Sequence, residues 1–224
     1  MYYCGLNRIS MSYDIAGLRT DYKNRKLNRK DVGSDPALFF SRWLQEAIDN
    51  NLPDPNAMIL STCSQEGMPS SRVVLLKGIE SGKFIFYTNY HSNKGRQLSE
   101  NPHAALTFFW PQLERQVNVE GTVEKTDELT SDAYFQSRPR KSQLGAWASN
   151  QSEEISSRNE LKKKFLGYAM KFVGKKVDRP PHWGGFALTP SRIEFWQGRP
   201  SRLHDRIVFI RQDDQSWRIA RLSP

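Results

Sequence analysis

A short segment near the C-terminus collects side chains that could grip a small anion. Between Trp196 and Arg206, arginines, His204 and Asp205 surround one predicted turn, which directly follows the strand-like run Arg192–Trp196. Charged donors held in a tight turn suit the binding of a small anion. The alternative is a solvated, charge-rich hairpin tip. The flanking tryptophan, which is costly to expose, and a second cluster upstream favour the anion site.

That second cluster lies between Tyr134 and Ser142. Tyr134, Arg138 and Ser142 offer a phenol, a planar guanidinium fork and a hydroxyl, which together suit a phosphate monoester. The alternative is the C-terminus of a helix, where basic residues complement the helix dipole.

Two cations bracket an apolar run on a predicted strand. Arg72 precedes the run and Lys77 follows it; the run itself is Val73, Val74, Leu75 and Leu76. Residues five apart on a strand face opposite sides unless a bulge intervenes. Arg72 and Lys77 could therefore serve different ligands or different parts of one site. The alternative is an edge strand protected by terminal charges.

Weaker signals lie between and beyond these clusters. Tyr87 and Thr88 end a predicted strand, and Asn93 and Lys94 follow Ser92 at the start of a short helix. A helix N-terminus with hydroxyl and lysine donors can bind phosphate, although serine is also an ordinary N-cap.

Amide side chains could read a ring carbonyl or ring nitrogen, but each is weak evidence taken alone. Gln116 begins a long predicted strand, and Gln151 with Ser152 lies in a polar loop. The run Lys162–Lys164 is the predicted solvated face of a helix. No metal-ligand spacing, no Ser-His-Asp nucleophile motif and no glycine pattern of a Rossmann or P-loop site stands out.

Composition narrows the class of protein. The 224 residues include 33 basic and 24 acidic side chains, a net charge of +9, and only two cysteines. The charge points to anionic partners, either nucleic acid along a stripe or phosphorylated small molecules at discrete points. Two cysteines form no disulfide framework, and no apolar run or leader is evident, so the sequence predicts a soluble, cytoplasmic protein with no membrane partner.

The pattern of elements predicts a mainly β protein with α additions, a β-barrel that carries helices between its strands. Residues 1–33 are predicted to form a mobile arm and residues 34–224 a single domain. The first helix is expected to start at Asp35-Pro36 and to end near Asn50–Pro53. Strands are expected at 57–63, 71–79, 83–89, 104–110, 113–125, 186–188, 192–197, 207–211 and 217–221, with helices at 127–136 and 153–173.

Taken in order, these segments resemble the pyridoxine/pyridoxamine 5′-phosphate oxidase family of flavin enzymes. The resemblance runs from about Tyr13 to Pro224 and is specific as an ordered series. It rests on the runs Arg72–Lys77, Phe86–Asn89, Leu113–Gln116, Tyr134–Arg140, Ser142–Trp147, Phe195–Gly198 and Arg202–Arg206.

The resemblance implies a split β-barrel that works as a homodimer, with flavin mononucleotide (FMN) in the two clefts between subunits. Position by position, it implies a flavin site made by the run 72–77 and by further residues along the chain. These residues are Arg72, Lys77, Tyr87, Thr88, Asn93, Lys94, Gln116, Gln151, Ser152, Trp196 and Arg206.

For the substrate, the resemblance implies that Lys77, Tyr134, Arg138 and Ser142 hold the phosphate of a phosphorylated B6 vitamer. Arg202 and His204 are implied over the pyridine ring, as the catalytic pair. Arg19 and Tyr22 match arm residues that can fold over the bound substrate. The implied reaction oxidises pyridoxine or pyridoxamine 5′-phosphate to pyridoxal 5′-phosphate, and oxygen then reoxidises the flavin to give hydrogen peroxide.

One position departs from the family pattern. The family commonly has Arg-Lys where this chain has Asn93-Lys94, and asparagine offers only a neutral hydrogen bond to a phosphate. Lower flavin affinity, or a substitute basic residue, is expected. Two other functions stay open: a split-barrel flavoprotein with another substrate, and a basic nucleic-acid binder. The substrate-side cluster argues against the first, and charges gathered at strand ends argue against the second.

Overall fold

The computed structural model describes Tyr22 and residues 26–224, in which nine strands form one antiparallel sheet with helices on its flanks. The strands are β1 (Ala57–Cys63), β2 (Pro69–Leu75), β3 (Gly78–Glu80), β4 (Lys83–Asn89), β5 (His103–Trp110), β6 (Arg115–Lys125), β7 (Trp183–Gln197), β8 (Asp205–Arg211) and β9 (Trp217–Leu222). The helices are α1 (Pro36–Asp49), α2 (Asn93–Glu100), α3 (Glu128–Ser137), α4 (Arg140–Ala148) and α5 (Arg158–Lys171). The predicted mainly β architecture with α additions is confirmed.

The sheet is organised around its longest strand, β7. The strand order is β2-β1-β5-β6-β7-β4-β3, and β8 and β9 extend from the second half of β7. The first half of β7 pairs with β4, its second half pairs with β8, and β6 pairs along both halves. A bulge at Glu120/Gly121 lets the β6–β7 ribbon bend, and a Cβ at Gly121 would lie 2.0 Å from the Thr189 carbonyl oxygen.

Aromatic side chains fill the main hydrophobic core, which packs against this sheet. Phe40 of α1 packs edge-on against Phe84 and Phe108, with ring centroids 5.0 and 4.7 Å away. Helix α1 is held in place at its start by Asp35, whose carboxylate accepts from the backbone N–H groups of Ala37 and Leu38. A second, smaller core lies under α3, α4 and α5 around Phe135, Leu144, Phe172, Val177 and Trp183.

Several element boundaries differ from the sequence prediction; the predicted helix 153–173, for example, is Arg158–Lys171. The expected strands 186–188 and 192–197 are one continuous strand, because pairing with β6 carries the chain through Thr189–Arg192. The expected strand 71–79 divides into β2 and β3 at Leu76, which is buried in the core. Helix α4 was not predicted as a separate helix; Pro139 precedes its first residue, and the backbone N–H of Ser142 donates to the Pro139 carbonyl.

The described end of the predicted arm packs against the barrel. Leu27 and Val32 are 3% and 1% exposed, and the Leu27 backbone N–H donates to the Asp205 carboxylate at 3.1 Å. Leu27 is thus in contact with the C-terminal strands. Within the described part of the chain, no helix is long and apolar enough to cross a membrane.

Candidate functional site

A cavity of about 830 Å³ opens between β2, the end of β4, the N-terminus of α2 and helices α3 and α4. Four cations line it: Arg72, Lys77, Lys94 and Arg138. The described residues that line it include no aspartate or glutamate, so the four charges have no carboxylate beside them in the cavity. Its remaining lining is Val73, Val74, Leu75, Tyr87, Thr88, Asn89, Tyr134, Pro139, Ser142, Gly145, Ala146, Ser149, Gln151 and Trp183.

Arg72 is held by neutral oxygen atoms. Its Nη1 donates to Thr62 Oγ1 at 2.6 Å, and its Nη2 donates to Ser70 Oγ at 2.7 Å. Burial lowers the pKa of its guanidinium, because a desolvated charge is disfavoured. The guanidinium is therefore oriented by its neighbours while its charge remains uncompensated by them.

Lys94 is the most deeply buried cation of the group. The residue is 8% exposed, and its Nζ lies 3.2 Å from Gln151 Oε1 and 3.3 Å from Ser92 Oγ. Burial, reinforced by the charge of Arg72, lowers the pKa of Lys94 to about 8. Helix α2 approaches the end of β4 this closely because residue 95 is glycine: a Cβ there would lie 2.1 Å from the Tyr90 carbonyl oxygen.

Arg72 and Lys77, which strict strand alternation would place on opposite faces of the sheet, both line the same cavity. Strict alternation ends after Leu75, where β2 stops. Leu76 then turns into the core, 5% exposed, and the Lys77 backbone N–H donates to the Ile85 carbonyl at 2.8 Å. Leu76 is the one member of the predicted run 72–77 that does not line the cavity.

Asn93 and Ser152 lie together at the N-terminus of α2 but are not part of the cavity lining. The Asn93 backbone N–H donates to Ser152 Oγ at 3.3 Å, and both residues are exposed. The side-chain amide oxygen of Asn93, Oδ1, accepts from the guanidinium of Arg96, which also donates to the backbone carbonyl of His91. A guanidinium thus stands at this helix end although residue 93 is not arginine.

The Tyr134–Ser142 cluster forms the opposite wall. Tyr134, Arg138 and Ser142 all line the cavity, from the end of α3 and the first turn of α4. Burial lowers the pKa of the Arg138 guanidinium. Its Nη1 is buried and has no hydrogen-bond partner within the described part of the chain. A buried donor without a partner is costly, and a bound anion would satisfy it.

Sequence reasoning did not predict several lining residues of this wall, among them Trp183. Its ring is nearly parallel to those of Tyr87 and Tyr134, with centroids 5.6 and 6.2 Å away, and the Arg138 guanidinium carbon lies 4.4 Å from its centroid. The only local signal was a tryptophan followed by two glycines, which let neighbouring side chains approach closely.

The remaining predicted residues gather at the other end of the sheet. Tyr22 and Trp196 contact His204, with ring centroids 5.5 and 4.7 Å from the imidazole. Trp196 pairs directly with Gln116 on β6 and with Arg206 on β8. We call Tyr22, Gln116, Trp196, Arg202, His204 and Arg206 the C-terminal group. Arg19 lies outside the described residues.

Arg202 and Arg206 of this group differ in exposure: Arg202 is exposed, and Arg206 is partly buried. Arg202 has a φ of 60°, and Ser201 before it has a φ of 55°, so two non-glycine residues in succession adopt the left-handed region. Such strain is typical of functional turns. Arg206 donates from Nε to Glu194 at 2.6 Å and from Nη1 to the Ser223 carbonyl at 3.0 Å. The hydrogen bond to Glu194 raises the pKa of Arg206.

Within a single chain, the C-terminal group and the cavity lie far apart. Tyr87 of the cavity pairs with β7 at Gly185, whereas Gln116 pairs with it at Trp196. At about 3.3 Å per residue, these two positions lie about 36 Å apart along the strand.

Known proteins resemble this chain along nearly its whole length. Residues 44–171 match the family model described as pyridoxamine 5′-phosphate oxidase, and residues 183–224 match that of a pyridoxine 5′-phosphate oxidase C-terminal dimerisation region. The chain belongs to the pyridoxine/pyridoxamine 5′-phosphate oxidase family. Curated pyridoxine/pyridoxamine 5′-phosphate oxidases from Bacteroides thetaiotaomicron and Microcystis aeruginosa are 53% and 52% identical to it. These alignments cover 94% and 96% of this chain and 99% and 100% of the relatives.

Solved structures confirm the split-barrel fold expected of this family. PhzG from Burkholderia lata, in complex with tetrahydrophenazine-1-carboxylic acid, has a TM-score of 0.84 at 29% identity and covers 90% of this chain and 99% of its own. A pyridoxamine 5′-phosphate oxidase-related, FMN-binding protein from Nostoc punctiforme has a TM-score of 0.67 at 17% identity, covering 83% and 97%. Strands β7, β8 and β9 all lie within the residues that match the dimerisation region.

Proposed function

We propose that this protein oxidises pyridoxine 5′-phosphate and pyridoxamine 5′-phosphate to pyridoxal 5′-phosphate. FMN is the proposed hydride acceptor, and oxygen is the proposed final acceptor, with release of hydrogen peroxide. The observation that carries the proposal is one cavity with cations on two walls and no carboxylate among its described lining residues. One wall suits the phosphate of a cofactor and the other suits the phosphate of a substrate. The names of the relatives support the choice of substrate.

The residues present fit FMN. Arg72 and Lys94 place two positive charges beside the N-terminus of α2, where the helix dipole also favours an anion. Gln151 and Thr88 add neutral donors and acceptors, with Thr88 Oγ1 donating to Gln151 Oε1 at 3.2 Å. A volume of about 830 Å³ is within the range of sites for ligands of this size.

In the proposed mechanism, bound FMN supplies the hydride acceptor and the reactivity toward oxygen. Lys77, Tyr134, Arg138 and Ser142 hold the substrate phosphate, so that binding energy from this remote group keeps the reacting carbon in place. Tyr87 stays a neutral hydrogen-bond donor, because burial raises the pKa of its phenol to about 12. With the amine substrate, water then displaces the nitrogen from the oxidised carbon, and ammonia is released.

Completion of the site by a second copy of the chain is part of the proposal. The C-terminal group would then meet the cavity of the partner, with Gln116, Trp196 and Arg206 beside the flavin and Arg202 and His204 over the pyridine ring. An exposed apolar face supports this homodimer: Ile59 and Val73, which pair across β1 and β2, are 42% and 68% exposed. Phe109 on β5 is 56% exposed as well. Large exposed apolar side chains on neighbouring strands mark an interaction surface.

The proposed role of the arm is to cover the bound substrate. Tyr22 lies edge-on to Trp196 and His204, with ring centroids 5.6 and 5.5 Å away. A Cβ at residue 198 would lie 2.8 Å from the Tyr22 ring, so Gly198 leaves room for this contact. Such a cover would exclude water from the reacting groups. The free thiol of Cys63 and the count of only two cysteines support a cytoplasmic location.

The first rival is a flavoprotein of the same fold with another substrate, a case for which PhzG and its phenazine ligand give a precedent. The wall made by Tyr134, Arg138 and Ser142 favours a phosphorylated substrate instead. The second rival, a nucleic-acid binder, would need its charges along a stripe. Here four cations converge on one cavity.

The proposal is tested by adding pyridoxine 5′-phosphate to the purified, FMN-loaded protein without oxygen and recording the visible spectrum. Bleaching that reverses when air is admitted would support flavin, substrate and oxidase chemistry together. A yellow protein that does not bleach would exclude the substrate. A colourless protein that takes up no added FMN would exclude the cofactor.

A further inference from the structure

Trp183 occupies a place in the cavity wall that its role in the core does not explain. The residue is 7% exposed and belongs to the smaller core, yet it also lines the cavity. Its indole contacts two different kinds of side chain there: the stacked phenols of Tyr87 and Tyr134, and the guanidinium of Arg138.

We propose that Trp183 is a positioning residue for the substrate phosphate, acting by holding the guanidinium of Arg138 in its binding position. The inference rests on the proposed function, because it assigns the phosphate to Arg138. Nothing in the family description or the relatives' names assigns a role to this tryptophan.

The guanidinium of Arg138 needs a contact that keeps it in the cavity wall. Arg138 has a buried Nη1 without a hydrogen-bond partner in the described chain, and none of the described ion pairs includes this residue. An arginine without a carboxylate partner would ordinarily extend into water. Two aromatic faces can hold it inside while leaving its N–H groups for a ligand: the indole of Trp183, with its centroid 4.4 Å from the guanidinium carbon, and the more distant ring of Phe135, at 5.5 Å.

The indole of Trp183 is itself held in place by the backbone that carries it. The Trp183 backbone N–H donates to the Pro180 carbonyl at 3.0 Å, and its carbonyl accepts from Arg179 Nη1 at 2.8 Å. The residue also pairs with Asn89 at the first position of β7. These three constraints place the ring on rigid backbone, as precise positioning requires.

The ring of Tyr134, another of the proposed phosphate-binding side chains of this wall, belongs to the same aromatic stack. This ring stacks on Tyr87 with centroids 3.8 Å apart, and both rings are within 14° of parallel to each other and to the indole. Tyr87 reaches this position because residue 185 is glycine: a Cβ there would lie 2.9 Å from the Tyr87 ring. One aromatic unit therefore orients the phenol and the guanidinium together.

The test compares Trp183→Leu and Trp183→Phe with the unmodified holoenzyme. For Trp183→Leu, we expect the KM for pyridoxine 5′-phosphate to rise about tenfold or more, while kcat at saturation changes less than about threefold. Trp183→Phe, which retains a ring face, should recover part of this loss. The inhibition constant of inorganic phosphate should rise in parallel, because it reports the anion site without the pyridine ring.

The chain supplies a matched control in Trp43. This tryptophan is 4% exposed and carries the Arg115 guanidinium 4.3 Å from its ring centroid, but neither residue lines the cavity. Trp43→Leu should lower the melting temperature to a similar extent and leave both the KM and the phosphate inhibition constant unchanged.

The possible results separate the two proposals. If the unmodified protein does not oxidise pyridoxine 5′-phosphate, the proposed function fails before Trp183 is tested. If it does, and Trp183→Leu retains the normal KM and phosphate inhibition constant, the positioning role is overturned. A KM increase of equal size in the Trp43→Leu control would also overturn it, since the effect would then be one of general destabilisation.

Discussion

The Nδ1 atom of His204 accepts a hydrogen bond from the backbone N–H of Arg199 at 3.1 Å. An acceptor nitrogen carries no proton, so the neutral ring has its proton on Nε2, from which it can donate to a ligand. Burial and then the charge of Arg202 lower the pKa of His204, which favours this neutral form. The turn that contains Arg199, Arg202 and His204 thus sets the tautomer of His204 and places a positive charge beside it.

This relationship predicts the acid side of the pH profile. Below its lowered pKa, His204 gains a proton on Nδ1 and loses the hydrogen bond from Arg199. We expect kcat/KM to be constant near neutral pH and to fall only below pH 6.5, the ordinary value for histidine. His204→Gln, which does not titrate, should abolish that acid limb. An acid limb that persists unchanged in the variant would assign the titration to another group.

Lys94 predicts the alkaline behaviour of cofactor binding. In the protein without flavin its pKa is about 8, so the side chain loses its charge as pH rises through that value. In the proposed site, only the charged form of Lys94 would bind the FMN phosphate. We expect the dissociation constant of FMN to be constant between about pH 7 and 8, where the phosphate is a dianion, and to rise by up to about tenfold per pH unit above pH 8.

Two comparisons isolate the lysine in this titration. Riboflavin, which lacks the phosphate, should show no such rise in its dissociation constant. Lys94→Arg, which keeps its charge over this range, should flatten the FMN curve. A rise of the same steepness in that variant would contradict the assignment.

Arg202 is predicted to act in turnover rather than in flavin retention. We expect Arg202→Leu to lower kcat more than tenfold, about 1.4 kcal/mol of barrier, with the flavin content per subunit near normal. The reason is its exposed position on a strained turn, outside the cavity that would hold the flavin phosphate. Arg218→Leu, on the exposed side of β9, removes the same charge and should leave kcat unchanged. Normal turnover in Arg202→Leu would refute the assignment.

The separation along β7 predicts complementation between subunits. Arg138→Ala and Arg202→Leu homodimers should each be impaired. In the proposed dimer each site takes Arg138 from one subunit and Arg202 from the other, so each variant lacks one of these side chains in both sites. After unfolding and refolding of an equal mixture, random pairing gives heterodimers in half of the molecules, each with one intact site. Activity should therefore recover to about a quarter of the unmodified level. No recovery, with heterodimers verified by mass spectrometry, would mean that both residues serve the same chain's site.

Arg96 is predicted to compensate for Asn93. Its guanidinium turns back to the N-terminus of α2, where the helix dipole is unfavourable for a cation and an anion would offset it. We expect Arg96→Ala to weaken FMN binding about fivefold, roughly 1 kcal/mol, and to leave riboflavin binding unchanged. Arg158→Ala, at the exposed start of α5, is the charge-matched control. An equal loss for riboflavin would indicate a structural effect.

Local sequence determined the elements whose signals are contained within a few residues. Asp35-Pro36 marks the start of α1 because an aspartate cap and a proline at the first helical position act over one turn. The β4 and β1 strands were predicted with their observed bounds, since short apolar runs between turn residues carry their own punctuation. The ordered motifs, from Arg72 to Arg206, were enough to identify the family.

Tertiary structure decided what depends on distant pairing. Whether 186–197 forms one strand or two depends on β6, which is separated from it by three helices in the sequence. The convergence of Arg72, Lys94 and Arg138, and the contact of Arg138 with Trp183, join residues up to 111 positions apart. No local pattern encodes such a contact, because side chains meet across elements only after the sheet has set their positions. The same sheet placed the C-terminal group at the far end of β7, so that the proposed site requires a second chain.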